Sequence, residues 1–209
     1  MKLNVELSPK SIQEAIKKLQ FAKKQMTKGN MMKDFLEDVC MWIMNRANMY
    51  LDNSDIGEDV KLIIRNAWQF TIEENGAKLI NNANVEKIIG GETQFIPIAV
   101  LVEFGVGIVG QSSSHPNASE EGYEYNKPSR YKNRDNSWIF SVDSDINIDI
   151  QTKYIDNRTE HTVRTKGSPA VMYLYNAVED ARNDLQNPNG ELAQKRKALE
   201  EKYIERYIG

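Results

Sequence analysis

The segment from Phe95 to Gly110, FIPIAVLVEFGVGIVG, is the longest apolar run in the chain and constrains its fold more than any other stretch. It carries one charge, Glu103, and ends in Gly105, Gly107 and Gly110, where the chain can turn without the strain that a Cβ would bring. Its length suits a buried strand or a short helix, and a central core strand is expected over Ile96–Phe104, with Gly105 to Gly110 as a hinge that releases the long polar loop beyond it. A carboxylate inside such a run needs a partner, either a backbone N–H or a cation reaching across a subunit contact.

The sequence before this run reads mostly as helix. Leu3, Val5 and Leu7 alternate with polar neighbours, as in a short strand or arm, and Ser8-Pro9 then provides an N-cap and a first helical residue. Ile12, Ala15, Ile16, Leu19, Ala22 and Met26 share a helical face, Lys17, Lys18, Lys23 and Lys24 lie mainly off it, and Gly29 supplies the C-terminal turn. A second helix is predicted from Met31 to Leu51. Its stripe of Met32, Phe35, Leu36, Val39, Cys40, Ile43, Ala47 and Leu51 keeps the 3.6-residue period, with the methionines as core filling and Cys40 as a small buried residue. Val60–Trp68 suits a short helix or a strand. Asn75-Gly76, between Phe70–Glu73 and Ala77–Ile80, is a hairpin turn signal. The polar region that carries Gly90-Gly91 leads into the apolar run.

Beyond Gly110 the character changes. Residues 111–137 lack periodicity and read as a long inserted loop, which is functional or disordered when it occurs in a compact domain. From Trp138 to Ile150 apolar and polar residues alternate, predicting one long strand or two broken near Asp143 to Asp145. Asp156-Asn157 reads as a turn and Thr159–Arg164 as a return strand. Ser168 as N-cap and Pro169 just inside predict a helix to Leu185 that buries Met172, Leu174 or Tyr175, Val178, Ala181 and Leu185. Asn187 to Gly190 stops it, and a charged terminal helix follows from Glu191 to Tyr207. The expected fold is α+β in a single domain over residues 1–209. It has a helical N-terminal part at 1–57 and a core at 58–186 whose mixed or antiparallel sheet packs on one or two long helices, with a loop inserted at 106–137. A helical extension at 187–209 completes it.

Composition narrows the function classes. A chain of 209 residues with 40% hydrophobic and 27% charged residues can bury a core. A net charge of -3 provides no general attraction to nucleic acid or to an anionic membrane. No run of about 20 apolar residues and no signal-peptide core occurs, so a cytoplasmic site of maturation and no membrane partner are expected. The single cysteine excludes an internal disulfide. The series Asp143, Asp145, Asn147 and Asp149 resembles the start of a calcium loop, but Ile148 and Tyr154 stand where that loop needs Gly and Glu, and the wet face of a strand explains it better. His115 and His161 have no second ligand at metal spacing, and His115 reads as an exposed loop residue. Gly105-x-Gly107-x-x-Gly110 matches a dinucleotide fingerprint in form only, because no helix is expected after it. Lys127, Arg130, Lys132 and Arg134 interleave with Tyr123, Tyr125 and Tyr131 in a way that could touch phosphates, but Glu120, Glu121, Glu124 and Asp135 offset the charge. No cofactor, no metal and no enzymatic activity are expected. A small hydrolase or nuclease using His115, His161 and the 143–149 carboxylates is the alternative, and a nucleic-acid-binding accessory protein is a third reading.

One resemblance gathers several of these motifs. Val102-Glu103-Phe104-Gly105-Val106-Gly107, a polar loop with His115-Pro116, an aromatic strand from Trp138, and Gly167-Ser168-Pro169-Ala170 before Met172-Tyr173 follow one another over Ile98–Ala181. The pattern resembles the minor tail components of long-tailed bacteriophages that complete the tail and join it to the head, although Val106 stands where that family usually has Thr. The resemblance implies a virion subunit in a ring, a hexamer, at the neck where DNA passes from capsid to tail without sequence-specific binding. Its partners would be copies of itself and neighbouring connector or stopper, tail-terminator or tail-tube proteins. The residues implied in the core motif or subunit interface are Glu103, Phe104, Gly105, Gly107, His115, Trp138, Gly167 and Pro169.

Overall fold

In the computed structural model of the chain, residues 16–18, 20–21, 30–73, 76–89, 92–125, 138–141, 155–158, 162–165 and 167–208 are described. The class is α+β. The described elements run, in order, α1 (Asn30–Asp52), α2 (Glu58–Asn66), β1 (Trp68–Glu73), β2 (Gly76–Asn81), β3 (Val85–Ile89), β4 (Glu92–Ile96), α3 (Ile98–Phe104) and α4 (Gly107–Ser112). There follow β5 (Trp138–Ser141), β6 (Ile155–Arg158), β7 (Thr162–Thr165), β8 (Gly167–Ser168), α5 (Tyr173–Gln186) and α6 (Glu191–Ile208). Ile16, Lys17, Lys18, Gln20 and Phe21 are also helical.

The strands form three small sheets. β1 pairs with β2, β3 pairs antiparallel with β4, and a three-stranded antiparallel sheet has the order β5-β7-β6. β3 and β4 close in register from Ile89↔Glu92 to Val85↔Ile96, on either side of Gly90-Gly91 in the sequence. That hairpin was not anticipated, although Gly-Gly between β-prone runs is a hairpin signal.

Two compact units emerge. The first takes Met1–Trp42, Phe70–Lys78 and Glu179–Gly209, and the second takes Ile43–Gln69 and Leu79–Val178. In the first, Met31, Cys40, Ala181, Leu192, Ala193 and Tyr203 are buried. Burial, and then the neighbouring Glu37 carboxylate, push the Cys40 thiol up, which suits a packing residue and not a nucleophile. Tyr203 donates its hydroxyl to Asp34 Oδ2 at 3.1 Å, and Trp42 Nε1 donates to Glu191 Oε2 at 3.0 Å.

The second unit holds a core of Ala47, Leu51, Val60, Ile64, Ala83, Ile98, Ala99, Tyr173 and Ala177. Four of its members are alanines, which lets the backbones around the fully buried Leu51, Ile64 and Tyr173 approach closely. Burying Leu51 and Ile64 contributes about 1.5–3 kcal/mol each. Asn81 ties three pieces together: its amide donates to Ile64 O at 2.8 Å, and its carbonyl accepts from the Ala83 N–H at 3.1 Å. Lys61, only 5% exposed, donates to Glu58 Oε1 at 2.8 Å and to Asp52 O, in the last turn of α1, at 3.2 Å.

Several expectations are corrected. Ile96–Phe104 is not a central strand: Ile96 ends β4, and Ile98–Phe104 is helical. Ile98, Ala99 and Glu103 are its buried residues, a spacing that a helix places on one side and a strand does not. Val60–Trp68 resolves into α2 followed by the first residue of β1. Asp156-Asn157 is not a turn but lies within β6, where Asn157 pairs with Arg164 of β7 and the register shifts at Asp156. The helix expected from Pro169 begins at Tyr173 instead, for reasons that belong to the site below. Its buried residues are Tyr173, Ala177 and the expected Ala181, whereas Met172, Leu174, Tyr175, Val178 and Leu185 are half-buried. The arm at Leu3–Leu7, the Asn75 turn residue, the 143–149 series and His161 lie outside the described residues, as does most of the 138–150 alternation.

Candidate functional site

The segment after α3 folds onto the segment before α5. Gly105 ends α3 with φ 76, and its N–H donates to Leu101 O at 2.9 Å. That left-handed backbone favours glycine, and a Cβ there would lie 2.5 Å from Ala170 N and 2.7 Å from the Pro169 carbonyl carbon. Val106 and Gly107 bridge antiparallel to Ser168 and Gly167. At Gly167, φ 113, a Cβ would fall 1.8 Å from Val106 O. Two glycine-bearing motifs far apart in sequence therefore meet backbone to backbone, and each glycine is required by the other's proximity.

Glu103 fastens this contact. Its Oε2 accepts the Leu174 N–H and its Oε1 the Tyr175 N–H, both at 2.9 Å. These are first-turn amides of α5, which have no intrahelical acceptor, and the positive end of the helix dipole faces the carboxylate. The backbone continues the arrangement: Val171 N–H donates to Val102 O at 3.0 Å and Met172 N–H to Glu103 O at 3.1 Å. The C-terminal carbonyls of α3 thus accept the two amides that immediately precede α5. This also explains the late start of α5. Residues 171 and 172 are engaged with α3, Met172 adopts φ 55, and the cap expected from Ser168 is supplied by Glu103.

His115 completes the cluster. It is 5% exposed and lies 3.1 Å, Nε2 to Oε1, from Glu103. Its expectation as an exposed loop residue is overturned, because the chain after α4 turns back and covers it. The Asn117 N–H donates to His115 Nδ1 at 3.0 Å, so Nδ1 is the acceptor and the ring proton sits on Nε2, donated to Glu103. Both ring nitrogens are then occupied. Glu103 receives three donors and keeps its charge compensated within the fold.

Aromatic rings enclose the pair. Phe104 stacks on Tyr123 with centroids 4.7 Å apart and lies 4.3 Å from the His115 ring; Tyr175 meets His115 edge-on at 5.1 Å, and Tyr125 meets Tyr123 edge-on at 5.1 Å. Tyr123 donates its hydroxyl to Gly105 O at 2.6 Å, and the Tyr125 hydroxyl accepts the His115 N–H at 2.6 Å. Burial, and then the neighbouring Tyr125, push the Tyr123 hydroxyl up to about 12. Burial and then the Glu103 charge push that of Tyr173 up further.

Of the residues singled out in the sequence, the structure brings together Glu103, Phe104, Gly105, Gly107, His115, Gly167 and Pro169. Trp138 pairs through its backbone with Thr165 at the end of β7. Sequence reasoning missed Tyr123, Tyr125 and Tyr175 as site residues and Ser113, whose Oγ accepts the Ala170 N–H at 3.2 Å. Tyr123 and Tyr125 drew notice only as contacts for phosphate, whereas their hydroxyls are taken up internally. The short helix α4 does follow Gly107, but α3 and not a strand precedes the glycines, so the dinucleotide fingerprint lacks its context. Among the described residues no group of three His, Cys, Asp or Glu side chains is arranged to hold a metal ion, and no helix is long and apolar enough to cross a membrane. No family model, curated protein or solved structure matches the chain.

Proposed function

We propose that this chain is a structural virion protein of a tailed bacteriophage, which completes the tail or joins head to tail as one subunit of a ring, a hexamer, in the neck. The observation that supports this reading is the Glu103 junction. The Val-Glu-Phe-Gly-x-Gly and Gly-x-Pro-Ala motifs, on which the resemblance to phage tail-completion proteins rests, form one packed unit through Glu103, Gly105 and Gly167. Two short motifs that match by chance have no reason to fit one another without room for a Cβ. The junction's chemistry is structural. Both Glu103 oxygens accept hydrogen bonds from within the fold, and both ring nitrogens of His115 are engaged, which leaves it no free nitrogen with which to take a proton. That argues against the hydrolase reading as far as His115 carries it.

Neighbouring partners on this reading are connector or stopper and tail-terminator or tail-tube proteins, with DNA passing through the lumen. The test is genetic. Removing the gene from the genome that carries it should leave filled heads and tails unjoined, or tails of irregular length, in negative-stain micrographs of the lysate. Normal joined particles of full infectivity from that genome would overturn the proposal.

A further inference from the structure

The outward side of α3 is apolar from end to end. Ile98, Ala99 and Glu103 face inward, which leaves Pro97, Val100 and the half-buried Leu101 on the other side, while Phe104 at the end of the helix is covered by Tyr123 and His115. Pro97 is exposed, Val100 is 40% exposed, and Phe95, two residues ahead on β4, is 66% exposed. Large apolar side chains exposed this close together along the chain are what an interaction site presents. Its border is acidic: Phe104 stacks on Tyr123, which sits in sequence between the exposed Glu120, Glu121 and Glu124. The partner that fits presents exposed apolar side chains set among cations.

The chain carries such an element. Ile16 and Phe21 are helical and 47% and 51% exposed, and Lys17 and Lys18 beside them are exposed as well. They belong to a segment, residues 1–28, with seven lysines against Glu6 and Glu14, a net charge of +5. In a chain of net charge -3 the remainder therefore carries -8. We infer that the helical segment bearing Ile16, Lys17, Lys18 and Phe21 docks on the Val100 face of α3 in a second copy of this chain, with its lysines against that copy's Glu120, Glu121 and Glu124. The two surfaces differ, so the contact is heterologous, and repeating it about an axis closes a ring. The inference rests on the ring-subunit reading above and names the contact that would build the ring. Duplex DNA fits the lysines but not the apolar side chains, and an acidic border repels it.

Native mass spectrometry and sedimentation of the full chain test this, with melting curves to show that surface variants remain folded. The wild type should self-associate. Val100→Asp, and separately Lys17→Glu with Lys18→Glu, should weaken association about tenfold or more. Adding Glu121→Lys and Glu124→Lys to the lysine variant should restore it. A wild-type oligomer indifferent to every variant overturns this contact and leaves the ring reading standing. Failure of the charge swap to restore association overturns the pairing of these two surfaces. A wild type that is monomeric at every concentration overturns both. Association lost by folded variants and regained by the swap is the supporting result.

Discussion

Glu103 is the residue on which most depends, because one side chain serves three donors that have no other acceptor. Glu103→Ala leaves the Leu174 and Tyr175 N–H groups and the His115 Nε2–H unpaired. The expected loss is about 3–5 kcal/mol in urea denaturation. Glu103→Gln keeps one acceptor oxygen but turns an NH2 towards donors, so its loss should fall between wild type and Glu103→Ala; equal stability of all three would refute the junction as described. Tyr123 offers a pH test. Its hydroxyl is raised to about 12 against an ordinary value near 10. The folded form holds the proton where the unfolded chain releases it, so the contribution is fully present below pH ~10 and is lost as pH rises towards 12. Absorbance at 295 nm during alkaline titration should show Tyr123 and Tyr173 ionising late, and Tyr123→Phe should remove part of that late signal. A titration in which Tyr123→Phe leaves the late signal untouched would count against the burial of this ring.

Elements differ in how far the sequence announces them, and the reason is where their caps come from. α1 and α6 are legible because a 3.6-residue stripe continues over many turns and local breakers end it. The corner before α6 is local as well. Asp184 Oδ2 accepts the Leu192 N–H at 2.7 Å and Oδ1 the Glu191 N–H at 3.2 Å, while Gly190 leaves room beside Asp184 O, which a Cβ would approach to 2.1 Å. Asp184→Ala should therefore cost about 1 kcal/mol and speed hydrogen exchange of the α6 first-turn amides more than those of α2; unchanged exchange there would rule out the cap. α3 and the start of α5 were not legible, because neither is decided by its own residues. A seven-residue apolar run fits a strand or a helix equally well until Glu103 has a place to point. Ser168-Pro169 has the composition of a helix start, yet Val102 and Glu103 carbonyls hold residues 171 and 172 out of the helix. Likewise nothing beside His115 in the sequence indicates burial. The Glu103 and Tyr125 groups that enclose it arrive from other segments, the one through α3 and the other through the turn after α4.

At the scale of the whole molecule, charge distribution decides how the chain would behave beside a DNA duplex. Residues 1–28 carry the positive excess and the rest of the chain a charge of -8, and on the proposed contact the lysines of one copy are consumed against the acidic border of the next. An assembled ring would then present acidic surface on balance, and a duplex passing it would gain no counterion release from binding. A labelled duplex titrated with the assembled protein at about 0.15 M salt should show no binding tighter than the weak non-specific limit of ~10⁻⁴ M, and no steep dependence on salt. The Lys17→Glu, Lys18→Glu variant should behave the same way, because its lysines were never available to phosphate. Binding near 10⁻⁶ M with a steep negative salt slope, abolished by that variant, would instead assign the lysines to DNA. It would remove the argument for a passive lumen together with the argument for the subunit contact, since one set of cations cannot serve both.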